Sequence, residues 1–126
     1  MELTEKERLM LVQKKEEILK LTKEILDIIK QRDPEQAVEV KKRMTNILSL
    51  ISTIGSYAKS KYDSRHLWTS TNLIFLQMDD RGNHWGLTSP WIEVFCNTVN
   101  LIEFDFTKRD IKIKIPKIDL SIYRNR

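Results

Sequence analysis

The sequence predicts an α+β fold: an N-terminal antiparallel two-helix hairpin, coiled-coil-like, followed by a small, mainly antiparallel β-sheet module. Three observations predict it. Residues 3–31 contain no glycine or proline and repeat apolar positions at helical spacing. Residues 37–58 repeat them alternately three and four apart without a break. Past residue 70 the apolar period changes to two, most plainly in "LIEFDF" and "IKIKIP". The first two patterns return side chains to one face of a helix, and the third alternates them across a pleated strand.

In the first helix Leu11, Ile18 and Ile25 recur every seven residues, and Val12, Leu19 and Leu26 do the same one position later. Leu21, Ile28 and Ile29 widen the apolar surface to about half the circumference. A single flat contact needs a narrower stripe, so this helix is expected to pack against two neighbours. Its end is set by "KQRDPEQ". The residue before a proline resists helical angles, so the helix ends by Arg32. Asp33 is placed to cap a new helix, Pro34 suits its first turn, and Glu35 and Gln36 favour its positive end. So short a connection folds the two helices back on each other.

The second helix carries Ala37, Val40, Met44, Ile47, Ile51, Ile54 and Ala58, the uninterrupted spacing that a supercoiled seam requires. Ser49, Ser52, Ser56 and Ser60, with Gly55, give it a second side of small residues. Two helices of about 27 residues would each be roughly 40 Å long. Such a hairpin has more apolar surface than a small β-module covers. The seam is therefore expected to drive self-association into a dimer or a larger ring.

The second half is read as strands. Residues 64–70 form a polar transition, and "TNLIFLQM" (Thr71 to Met78) is a strand by its alternation and β-branched content. "DDRGN" is a turn and "HWGLT" its returning partner. "SPWIEVFCNTVN" carries two signals: Ser89-Pro90 and the spacing of Trp91, Phe95, Val99 and Ile102 read as a short helix, its β-branched content as strand. The helix is the preferred reading. "LIEFDF" and "IKIKIP" flank the turn "TKRD" and pair with Phe104 opposite Ile113, Asp105 opposite Lys112 and Glu103 opposite Lys114. "KIDLSIY" continues the alternation after Pro116 as an edge strand. The division is residues 1–65 for the hairpin and 66–126 for the β-module, the two forming one folding unit.

Composition bounds the function classes. The 126 residues are 40% hydrophobic and 32% charged with three glycines and three prolines, which argues against disorder. The net charge of +4 is spread evenly: 14 basic against 11 acidic residues through Arg65, and 8 against 7 beyond. A dense acidic surface imitating nucleic acid is thereby disfavoured. Cys96 is the single cysteine, so no internal disulfide forms and a reducing compartment is expected. "MELTEKERLM" lacks an apolar secretory core, and the apolar runs fall short of the ~20 residues that span a bilayer. A cytoplasmic protein without membrane contact is expected.

Catalytic and metal chemistry find little material. The histidines, His66 and His84, lie in no metal-ligand spacing, and Asp79 and Asp80 beside His84 read as turn formers, so no metal and no cofactor are assigned. Cys96 sits among Val94, Phe95 and Val99, the setting of a buried hydrophobe with a raised pKa. Glu103 and Asp105 already face lysines across the expected strand pair. Gly55, Gly82 and Gly86 make no phosphate loop. No catalytic residue is assigned.

Anion recognition has more to work with. Trp68, Trp85 and Trp91 fall within 24 residues that also hold Arg81 and His84, and Arg109 with Lys108 forms a second basic tip. Aromatic faces beside guanidinium groups suit stacking on a base and neutralising a phosphate. The competing reading places these tryptophans in the core between sheet and helices. The expected function is a non-enzymatic, homo-oligomeric binding protein for a nucleotide or nucleic acid, using Arg81, His84, Trp85, Trp91 and Arg109. Two long helices before a compact β-module is a plan met in small phage, viral and regulatory proteins. A protein–protein adaptor or inhibitor acting through the helical surface is the alternative, and a small enzyme comes third.

Overall fold

A computed structural model of the chain describes residues 3–57, 90–106 and 112–114. The first helix, α1 (Glu5–Gln31), runs 27 residues, as its breaker-free sequence allows. Thr4 caps it reciprocally: the Glu7 N–H donates to the Thr4 hydroxyl and the Thr4 N–H donates to the Glu7 carboxylate, both at 3.1 Å. Two N–H groups that the helix start leaves without partners are thus satisfied. At the other end Arg32 lies in the left-handed region (φ 54°, ψ 32°), its N–H reaching back to the Ile29 carbonyl at 3.3 Å.

A left-handed arginine costs about 1–2 kcal/mol, and glycine relieves this while giving back part of it as unfolded-chain freedom. Arg32→Gly is accordingly expected to raise stability by about 0.5–1 kcal/mol in a denaturant titration. A loss of stability would mean that the arginine side chain, not the turn, governs this position.

The connector follows the sequence expectation with one change. The Glu35 N–H donates to the Asp33 carboxylate at 3.1 Å, so Asp33 caps the turn. The turn it caps is a 3₁₀ segment, Pro34–Gln36, rather than the first α-turn. The second helix, α2 (Ala37–Gly55), is 19 residues long rather than about 27. Its end tightens through short-range bonds, Ser56 N–H to the Thr53 carbonyl at 3.2 Å and Tyr57 N–H to the Ile54 carbonyl at 3.1 Å. The low helix propensity of "SLISTIGS" accounts for the earlier stop.

Across the hairpin, Arg43 on α2 reaches Glu24 on α1 at 3.1 Å. Both residues stand about two turns from the connector, as an antiparallel pair demands. A third helix, α3 (Pro90–Asn100), settles the double signal of that segment in favour of helix. Its Ile92, Phe95, Cys96 and Val99 join Leu11, Ile18 and Ile25 of α1 and Val40, Met44, Ile47, Leu48, Ile51 and Ile54 of α2 in one core. The wide apolar stripe of α1 is explained by this arrangement, because α1 packs on both α2 and α3.

The chain leaving α3 returns along α1. Thr22, 1% exposed, gives its hydroxyl proton to the Leu19 carbonyl at 2.8 Å and lies 3.0 Å from the Asn100 side-chain amide. The nearby Asn100 atom is its Oδ1, an acceptor, so the single hydroxyl proton of Thr22 is shared between the Leu19 carbonyl and Asn100 Oδ1. Arg8, near the start of α1, donates to the Phe106 carbonyl. Fourteen residues of helix and six of extended chain both span about 20 Å, so the segment from Asn100 to Phe106 lies antiparallel to α1. Along it, β1 (Glu103–Asp105) pairs with β2 (Lys112–Lys114) in the expected register, Phe104 opposite Ile113. Ile102 and Phe106 turn inward, each 7% exposed, and the rings of Phe104 and Phe106 stack with centroids 5.8 Å apart.

The α+β fold class is corrected by these elements. The described residues are predominantly helical, and their extended structure is limited to two three-residue segments rather than a β-sheet module. Among the described residues the element packed on α1 beside α2 is α3, whose core residues 92, 95, 96 and 99 follow helical spacing. Alternation in "LIEFDF" reports which side chains share a face, and it overstated how far strands extend. The expected strands at 71–78 and 117–123, and the turn at 79–83, lie outside the described residues.

Candidate functional site

The five residues expected to bind a ligand are not brought together within the described part of the molecule. Arg81, His84, Trp85 and Arg109 lie outside the described residues. Trp91 occupies the first turn of α3, where its backbone is helical and its side chain falls outside the description. What the structure places is the frame. Residues 58–89 connect the end of α2 to α3 in sequence, and residues 106–111 join the paired strands at Asp105 and Lys112.

The expected oligomer seam is placed clearly. Val40, Met44, Ile47 and Ile54 are 0% exposed and Ile51 is 2% exposed within the single chain. Ala37 packs partly buried against the same core, and Ala58 lies outside the described residues. These side chains are thus buried within one chain, in the core that α2 shares with α1 and α3. The opposite side of α2 is what faces outward: Thr45, Ser49, Ser52 and Ser56 are exposed. Several hydroxyls on this side bond to their own helix, Thr45 to the Lys41 carbonyl at 2.9 Å and Thr53 to the Ser49 carbonyl at 3.0 Å. Val38, 61% exposed, borders an open depression with Lys41, Lys42, Thr45 and Asn46.

Among the described residues the Arg43–Glu24 pair bridges the hairpin, and the Arg43–Glu39 and Lys42–Glu39 pairs lie within α2. Arg43 bonds Glu39 at 3.0 Å as well as Glu24, and Lys42 approaches Glu39 at 3.5 Å. The Arg43 hydrogen bond, followed by the charge of Lys42, holds the Glu39 carboxyl below its ordinary value. That contribution is therefore present above the ordinary carboxylate range and is lost on acidification through the lowered value.

Cys96 behaves as its neighbours foretold. It is fully buried, and burial, reinforced by the Glu93 carboxylate, pushes its thiol up to about 12 from 9.0. At neutral pH it is a thiol inside an apolar core, not a nucleophile. The unfolded chain ionises first, so this group's stabilisation is complete below its unfolded pKa and falls as pH rises toward the folded one. The stability difference between the native chain and Cys96→Ala should therefore shrink by about 1.4 kcal/mol on going from neutral pH to about pH 10. Denaturant titrations at the two pH values check this, and an unchanged difference would mean that solvent reaches the thiol.

Among the described residues no group of three His, Cys, Asp or Glu side chains could hold a metal ion. Among them, too, no helix is long and apolar enough to cross a membrane. Three features escaped sequence reading. The Thr4–Glu7 capping box was signalled by "TEKE", and the Arg43–Glu24 pair by its symmetric distance from the connector. The third, the Thr22–Asn100 contact, has no sequence signal, because nothing in spacing links residues 78 apart. Comparison with family models, with curated proteins and with solved structures finds no match for this chain.

Proposed function

We propose that this chain is a non-enzymatic binding protein for a phosphate-bearing ligand, a nucleotide or a nucleic acid. One observation carries the reading: α2 and α3 sit on one shared core, and the chain between them holds Arg65, His66, Trp68, Arg81, His84 and Trp85. A segment rich in stacking and cationic side chains is thus carried at both ends by a fixed helical frame, which lowers the entropy cost of presenting it. The proposed setting is the cytoplasm, where the unpaired, buried Cys96 stays reduced. Assembly through the Val40-to-Ile54 seam is not part of this proposal, since those side chains are buried within one chain.

The test uses a short single-stranded oligothymidylate and ATP as probes, followed by quenching of tryptophan fluorescence. Oligonucleotide affinity should fall by about twentyfold between about 50 and about 200 mM salt if some three phosphates are neutralised. Arg81→Ala should weaken binding and flatten the salt dependence while leaving the circular dichroism unchanged. Salt-independent binding, or an Arg81→Ala variant equal to the native chain, would overturn the phosphate reading.

A second reading, an adaptor docking a protein partner on the helical surface, is favoured by one feature. Val38 is 61% exposed beside a depression on the outer side of α2. Retention of a defined protein partner after Trp85→Ala, and its loss after Val38→Asp, would favour that reading over the first.

A further inference from the structure

We draw no further inference here: the strongest candidate, the outward face of α2 where Val38 lies exposed beside Lys41, Lys42, Thr45 and Asn46, carries nothing because nothing in the structure shows what covers it.

Discussion

The Ile47→Asp variant is expected to unfold rather than to dissociate. Ile47 is 0% exposed, in a core shared by α1, α2 and α3. An aspartate there must either bury an unpaired carboxylate or take up a proton, and it also loses the packed volume of the isoleucine. The combined cost is on the order of 4–5 kcal/mol or more, comparable with the whole stability of many small domains. Loss of the helical far-ultraviolet signal at neutral pH is the expected readout. Two companions separate core from interface. Ile47→Val removes one methylene and should cost about 0.5–1.5 kcal/mol with the fold intact. Ser52→Asp, on the exposed side of the same helix, should change stability by no more than about 0.5 kcal/mol. If Ile47→Asp instead kept its helical signal and only its mass in solution fell, the seam would be an interface between chains.

That contrast marks how far the sequence could be read. A three-four repeat states that Val40, Met44, Ile47, Ile51 and Ile54 point one way and are buried. It is silent on whether the opposing surface belongs to the same chain, because periodicity encodes direction and not partner. Local chemistry was legible wherever a few adjacent residues decide the outcome: the stop at Arg32, the cap at Asp33, the pairing of Glu103 with Lys114. The missed element was the role of α3. Ile92, Val94 and Val99 favour strands by intrinsic preference, but burial against α1 overrides a preference worth at most about 1 kcal/mol in total range. The segment was read as a short helix, but the apolar surface of the hairpin was matched to the expected β-module and to a second copy rather than to this helix. The candidate site was legible only as residue types. Arg81, Trp85 and Arg109 are joined by no period, cap or turn, so no local rule sets their distances. Cys96 is the counter-example, since its apolar neighbours in sequence are also its neighbours in the core.

The role of α3 can be tested directly with Phe95→Ala. Phe95 is 1% exposed and is the largest fully buried side chain among the described residues, with Ile92, Cys96 and Val99 around it on the same helix. Truncating a buried phenylalanine costs about 3–5 kcal/mol, made up of lost transfer energy and the cavity that remains. For a chain of this size the melting temperature should drop by roughly 10–20 °C. Phe95→Leu refills most of the space and should lose less than about 1.5 kcal/mol. Hydrogen exchange then distinguishes a shared core from a detachable cap. With one core, amides of α1 around Leu11, Ile18 and Ile25 lose protection together with those of α3, since α1 is packed from both sides. A helix merely laid on the hairpin would lose its own protection and leave α1 and α2 as they were. Concerted loss is the expected result, because Ile18 and Ile25 reach 0% exposure in the core that α3 shares with α1 and α2.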